Sequence, residues 1–178
     1  MKNEFTISSA YKWGKSEKGE NNSEKAIKYI SNIIKKSFSD NKKKKLNYNI
    51  NYRRLRASAG RTMLESIIKR IENTQVVIID ISTDNKNVYI ETVIALALEK
   101  RNDFLSVYFI KEKDANIELP KGIPSDLHGY FISEYVVNKK GKVTFKDDNS
   151  LRMSIESDVK NYFNAREQFF NPIDEIND

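Results

Sequence analysis

The stretch VVIIDISTDNKNVYIETVIALALEK, residues 76–100, decides the fold. It begins within an apolar, β-branched run, QVVIIDIS at 75–82, which is typical of a central parallel strand covered by helices on both faces. The polar segment TDNKN then leads into an apolar helix that we predict from Val88 to about Arg101. A buried strand, a polar loop and a helix in succession form the repeating unit of an α/β sheet.

Strands and helices alternate along the chain on both sides of this unit. Further strands are predicted at the start of 5–13, at 46–52, 104–112 and 130–137, and, as a brief edge strand, at 143–145. Further helices are predicted from an N-cap at Ser23 to about 39–41, along Met63, Leu64, Ile67, Ile68 and Ile71, and along Leu151, Ile155, Val159 and Tyr162. The alternation predicts one three-layer α/β domain with a mainly parallel, flavodoxin-like sheet at 1–165, followed by a tail at 166–178.

The composition argues against several kinds of site. The chain has no cysteine and one histidine, His128, so thiolate chemistry is excluded and a zinc site or a Ser-His-Asp triad is disfavoured. We interpret His128 as a structural or surface residue. No signal peptide and no apolar run of about 18 residues is present, so we expect a cytoplasmic protein that does not enter a membrane.

The formal net charge is +6, and part of it comes from the lysine run DNKKKKL at 40–46. We interpret this run as a solvated loop rather than a nucleic-acid contact, because no interleaved aromatic residues or nucleic-acid motif accompany it. A nucleic-acid partner is therefore not expected.

Ligands of open parallel sheets bind outside the carboxyl ends of the strands. This rule points to the loops after the first strand, after the strand at 75–80 and after the strand at 104–110. The polar candidates in the first two loops are Ser8, Ser9, Tyr11, Asp80, Ser82, Asp84, Asn85 and Asn87. They could bind a sugar or an amide, or they could cap helices and form turns. Asp80 could hold ribose hydroxyls or accept hydrogen bonds from backbone amides of its loop.

Glu91 lies near the start of the predicted helix after the second loop. With Asn87 as the N-cap, Glu91 would be one position too late to close a capping box. It shares an apolar face with Ile94, Ala95 and Leu98, so we expect partial burial and a raised pKa. A glutamate at a cleft could stabilise an oxocarbenium ion at an anomeric carbon or attack that carbon as a nucleophile.

The spacing of these residues resembles a motif of the TIR-like and nucleoside 2-deoxyribosyltransferase-like superfamily, D-x-[ST]-x-x-N-x-N-V-x-x-E-L-G-x-A. The matching residues are Asp80, Ser82, Asn85, Asn87, Val88, Glu91 and Ala95. Three other segments are similar to the opening strand, a middle helix and strand, and a late loop of such domains: FTISSAY at 5–11, GRTMLESIIKRIENTQVVIIDIS at 60–82 and IPSDLHGYFISEY at 123–135. Thr92 and Val93 stand where the motif has Leu-Gly.

The resemblance implies a TIR-like domain in which Glu91 acts at C1′ of a ribose or deoxyribose, and Asp80 orients the ribose or helps to polarise the site. The residues it implies as pocket lining are Ser8, Ser9, Ser82 and Asn87. Tyr11 or Trp13 could stack on a base or a nicotinamide ring, with core packing as the alternative. Arg56 and Arg61 could meet a pyrophosphate, with solvated surface positions as the alternative.

Three functions follow from this resemblance. TIR-like enzymes cleave NAD, release nicotinamide and form ADP-ribose or cyclised and base-exchanged products. In the deoxyribosyltransferase branch, the glutamate forms a covalent deoxyribosyl intermediate. The third possibility is a non-catalytic TIR-like module that senses a nucleotide or binds a partner.

Many bacterial proteins with this motif resemble effectors or signal generators in antiphage immunity. We therefore expect a nucleotide as the small-molecule substrate, with NAD entering as substrate and neither a cofactor nor a metal. We also expect a homo-oligomer or a partner effector protein, with Phe169 and Phe170 of the tail as a candidate contact.

Overall fold

The structure is a computed structural model that describes residues 4–12, 21–39, 49–55, 63–113, 130 and 132–170. The strands in this part of the chain are β1 (Glu4–Ala10), β2 (Asn49–Arg54), β3 (Val76–Asp80), β4 (Ser106–Glu112), β5 (Ile132–Val137) and β6 (Val143–Phe145). The helices are α1 (Asn22–Ser39), α2 (Met63–Glu72), α3 (Lys86–Glu99) and α4 (Asp148–Phe170). The predicted order of elements is confirmed, with bounds that differ by a few residues.

One sheet carries the fold, with the strand order β2-β1-β3-β4-β5-β6. Neighbours from β2 to β5 are parallel, and β6 pairs antiparallel with β5. The predicted three-layer α/β architecture with a mainly parallel, flavodoxin-like sheet is therefore confirmed. The chain steps outward from β1 to β2 and then returns past β1 to β3. This reversal makes the carboxyl ends of β1 and β3 the topological switch point, where such sheets bind ligands.

Two apolar cores cover the two faces of the sheet. The first core packs α1 and α4 against side chains such as Ile7 and Ile78. The second packs α2 and α3 against side chains such as Val77 and Ile79. Consecutive residues of β3 thus enter opposite cores, which explains why this strand is apolar throughout rather than alternating.

Several predicted boundaries need correction. The first loop does not begin at Ser8, because β1 pairs with β2 through Ser9 and with β3 through Ala10. The N-cap of α1 is not Ser23, since α1 begins at Asn22 and the Asn21 Oδ1 accepts a hydrogen bond from the Glu24 N–H at 2.8 Å. Backbone pairing and capping set these ends more firmly than hydrophobic spacing does.

Two further predictions differ from the structure. Leu64 was expected on the apolar face of α2, but it is 54% exposed. The predicted tail begins inside a helix, because α4 continues to Phe170. The early part of α4 packs as predicted, with Leu151, Ile155 and Val159 buried in the first core.

Some sequence predictions fall outside the described residues. These are Trp13, the lysine run at 40–46, Arg56, Arg61 and His128, together with the side chains of Phe169 and Phe170. In the part of the chain that is described, no helix is both long enough and apolar enough to cross a membrane.

Candidate active site at the switch point

Helix α3 begins two residues earlier than predicted, which changes the position of Glu91 within it. Its N-cap is Asn85, whose side chain accepts hydrogen bonds from the Asn87 N–H at 3.0 Å and the Val88 N–H at 3.3 Å. The N-cap is therefore Asn85 and not Asn87. Glu91 is now the sixth helical residue, beyond the first turn, so neither a capping box nor the orphan amides of the helix end account for its carboxylate.

The Glu91 side chain is only 5% exposed, which confirms the predicted burial. It shares the inner face of α3 with Val88, Thr92 and Ala95. Among the described residues, no group donates a hydrogen bond to its carboxylate. Burial raises the pKa of Glu91 to about 7, and the positive charge of Arg54 opposes that rise. A carboxylate near half-ionisation at neutral pH can act as a base, a nucleophile or an electrostatic stabiliser.

The charge of Arg54 acts on this carboxylate, and an aromatic ring lies beside the Arg54 guanidinium group. Arg54 is the last residue of β2, and Tyr11 directly follows the end of β1, the strand next to β2 in the sheet. The Arg54 guanidinium carbon lies 4.0 Å from the centroid of the Tyr11 ring, which is within the range of a cation–π contact. Tyr11 itself is buried in the first core. Glu91, Arg54 and Tyr11 therefore bring a carboxylate, a guanidinium group and an aromatic ring to the switch point.

Asp80 ends β3 and is almost completely buried, with 1% exposure. Its Oδ1 accepts a hydrogen bond from the Ser82 N–H at 2.7 Å, and its Oδ2 accepts one from the Tyr135 hydroxyl at 2.7 Å. Burial raises the pKa of Asp80, and hydrogen bonds from Ser82, Tyr135 and Ser23 oppose the rise. Asp80 therefore holds the loop after β3 to β5 and to the start of α1. Its predicted contact with ribose stays a prediction.

Ser82 and Asn87 differ in their surroundings. Ser82 is buried, and its Oγ accepts a hydrogen bond from the Glu112 N–H at 2.6 Å, which joins the ends of β3 and β4. Asn87 is exposed in the first turn of α3. Of these two predicted pocket residues, Ser82 is part of the framework and Asn87 has a side chain that a ligand could reach.

Ser8 and Ser9 lie within the sheet rather than in a loop. The Ser8 hydroxyl pairs with the Thr74 hydroxyl at 2.7 Å. The Ser9 hydroxyl pairs with the Tyr52 hydroxyl, whose pKa is raised by burial. The two serines point to opposite faces, as consecutive strand residues must. The structure therefore does not bring both of them to one pocket.

A groove of about 700 Å³ runs beside the edge strand β2 and α2. Its lining residues are Ser8, Arg53, Arg54, Leu55, Ser66, Lys69, Arg70 and Asn73. Glu91 is not among them, and Arg54 is the residue that the groove shares with the surroundings of Glu91. We take the switch point as the candidate site because the buried carboxylate lies there, and we describe the groove separately.

Sequence reasoning missed Arg54 and Tyr135. Strand β2 extends two residues past the predicted end at Tyr52, so the alternation Ile50, Tyr52, Arg54 carries this arginine along one face of the sheet. That alternation was the signal that could have revealed it. Nothing local marks Tyr135 as the partner of Asp80, because the two residues are 55 positions apart.

Thr92 and Val93 replace the Leu-Gly of the motif, and α3 accommodates both residues. Thr92 is buried, and its hydroxyl donates a hydrogen bond to the Val88 carbonyl oxygen at 2.7 Å, so its polar group is satisfied within α3. Val93, which occupies the glycine position, is 43% exposed. Its side chain faces away from the buried surface of α3 and does not fill the space beside Glu91.

Comparisons with known proteins add no assignment. No family model, no curated protein and no solved structure matches this chain. No group of three or more His, Cys, Asp or Glu side chains in the described residues could hold a metal ion.

Proposed function

We propose that this chain is a TIR-like enzyme that cleaves the N-glycosidic bond between nicotinamide and ribose in NAD. The observation that carries the proposal is the buried Glu91 carboxylate, with a pKa near 7, at the switch point of the sheet. The proposed setting is the cytoplasm, in bacterial antiphage defence, as a homo-oligomer or with a partner effector protein. The motif supports this setting.

The charge on Glu91 suits the chemistry of this bond. When the bond between C1′ and the ring nitrogen breaks, nicotinamide keeps the electron pair and leaves as a neutral molecule. Positive charge then develops on C1′ and the ring oxygen of the ribose. An ionised Glu91 can stabilise that charge or attack C1′, and water or a hydroxyl of the same molecule completes hydrolysis or cyclisation. Because the ionised form is required, the rate should rise with pH through about 7.

Arg54 supplies a further group that suits NAD, and the buried Tyr11 ring supports it. The guanidinium group offers planar donors that suit a pyrophosphate, and its stacking on the Tyr11 ring restrains it. Its positive charge also favours the ionised form of Glu91, which is the reactive form. We assign to Arg54 a pyrophosphate contact like the one predicted for Arg56 and Arg61, which lie outside the described residues.

The substrate is tested by incubating the protein separately with NAD and with 2′-deoxynucleosides and measuring released nicotinamide and free base by liquid chromatography. We expect nicotinamide release to exceed base release from any deoxynucleoside by at least about tenfold. A wide range of protein concentrations should be covered, because TIR-type enzymes often complete their site across subunits.

Two other outcomes would replace the proposal. Base release from deoxynucleosides without nicotinamide release would identify the deoxyribosyltransferase branch. Absence of both reactions at every concentration, together with unchanged function of a Glu91→Gln variant in cells, would identify a non-catalytic nucleotide-sensing or interaction module.

A further inference from the structure

The groove beside β2 and α2 has the size of a small-molecule site and an unusual charge. Its volume of about 700 Å³ is within the range of ligand pockets. Four of its described lining residues are basic: Arg53, Arg54, Lys69 and Arg70. Among the lining residues that the structure describes, none is acidic. The groove therefore favours an anionic ligand.

The basic residues differ in how far protein carboxylates already neutralise them. The Arg53 guanidinium forms an ion pair with Glu4 at 2.8 Å. Lys69 and Arg70 form no ion pair within the described residues. The other acidic residues of α2 are Glu65, one turn before Lys69, and Glu72 at the end of the helix. Lys69 and Arg70 thus provide the charge for an external anion, and α2 holds them next to each other.

Ser8 lines the groove, is 2% exposed, and has a hydroxyl group with a defined hydrogen-bond direction. The Thr74 hydroxyl donates to the Arg70 carbonyl oxygen at 2.7 Å. Its oxygen must then accept the proton of Ser8, 2.7 Å away. The Ser8 oxygen consequently presents lone pairs, and a ligand group that meets it has to be a donor such as a sugar hydroxyl. A phosphate without a sugar would place its oxygen acceptors against the Ser8 oxygen, which is also an acceptor.

We infer that this groove binds a phosphorylated sugar, such as the ribose phosphate of a free nucleotide. Lys69 and Arg70 bind the phosphate, and Ser8 accepts a hydrogen bond from a sugar hydroxyl. Because Glu91 is not part of the groove, this inference holds whether or not the chain cleaves a glycosidic bond. It gives the protein a second ligand site, which shares Arg54 with the switch point.

Binding is tested by calorimetry on the full chain carrying Glu91→Gln, which prevents turnover. The probes are ribose 5-phosphate, ADP, inorganic pyrophosphate, adenosine and a short single-stranded RNA. We expect ribose 5-phosphate and ADP to bind and adenosine to bind at least about tenfold more weakly. The double variant Lys69→Ala/Arg70→Ala should weaken ADP binding by about tenfold or more.

A matched control is the exposed pair Lys100 and Arg101 at the end of α3. Lys100→Ala/Arg101→Ala removes the same charges and should change ADP affinity by less than about twofold. Equal losses in the two double variants would overturn the inference, because they would show a general charge effect. Lack of binding of ribose 5-phosphate and ADP would overturn it as well.

Two probes separate the ligand classes. Ser8→Ala should weaken the binding of ribose 5-phosphate severalfold, because the sugar hydroxyl donates a hydrogen bond to Ser8. The affinity for pyrophosphate should stay unchanged, because pyrophosphate has no sugar hydroxyl. Pyrophosphate that binds as tightly as ribose 5-phosphate would contradict the role of the sugar. The inference would also be overturned if RNA bound much more tightly than ADP and lost this affinity in Lys69→Ala/Arg70→Ala. That result would show that the groove binds a nucleic acid.

Discussion

Glu91→Gln is expected to lower the rate of nicotinamide release from NAD by roughly a thousandfold. The substitution keeps the size and the buried position of the side chain but removes the negative charge that the transition state needs. The loss should fall on kcat rather than on KM, because the charge acts where positive charge develops on the ribose. Initial rates with saturating NAD at pH 8, where wild-type Glu91 is mostly ionised, measure the effect.

Glu72→Gln is the matched control for this experiment. Glu72 is an exposed glutamate on α2, so the same chemical change there should leave the rate unaltered. A Glu91→Gln protein that releases nicotinamide at a rate close to that of the wild type would exclude Glu91 as the catalytic carboxylate.

The same substitution is expected to stabilise the fold at alkaline pH by about 3 kcal/mol. Burial raises the pKa of Glu91 from 4.5 to about 7, so the folded state disfavours the ionised form. Wild type therefore loses stability relative to the Gln variant as the pH rises from about 4.5 through 7. At pH 4 both side chains are neutral, and the two proteins should unfold with similar free energies.

Urea denaturation from pH 4 to pH 8.5 measures this difference. The raised pKa of Asp80 affects both proteins equally and cancels in the comparison. Glu72→Gln should stay within about 0.5 kcal/mol of wild type at all pH values. A stability difference for Glu91→Gln that does not grow with pH would contradict the buried, raised-pKa state of this carboxylate.

These two results would have one physical cause. The ionised Glu91 costs folding free energy because the inner face of α3 gives it no hydrogen-bond donor from the described residues. The same poorly compensated negative charge can stabilise the positive charge that develops on the ribose of the substrate. A residue that is costly for stability and necessary for catalysis is common in active sites.

The architecture could be predicted from the sequence because hydrophobic patterning reports directly on it. The run at 75–82 has the continuous apolar character of a strand buried on both faces, and β3 is that strand. Placement of Glu91 on a buried face followed from the spacing of Ile94, Ala95 and Leu98. The start of α3 was predicted less well, because Asn85 and Asn87 are both acceptable N-caps by residue type.

The details of the site could not be predicted, because strand pairing decides them. Pairing of Ser9 with Arg54 keeps both residues inside the sheet, whereas the prediction placed Ser9 in a loop and ended the second strand at residue 52. The partner of Asp80 comes from β5, and no local pattern links it to the end of β3. Arg54, the cation that acts on Glu91, lies at the end of β2, two residues beyond the end predicted for that strand.

The most direct test of the central claim is a crystal structure of Glu91→Gln with NAD bound, since this variant should hold the substrate without cleaving it. We predict that the side chain at position 91 lies about 3 to 3.5 Å from C1′ of the nicotinamide ribose, as a near-attack arrangement requires. We also predict that the pyrophosphate lies near Arg54. NAD bound with its nicotinamide ribose away from the start of α3 would contradict the account.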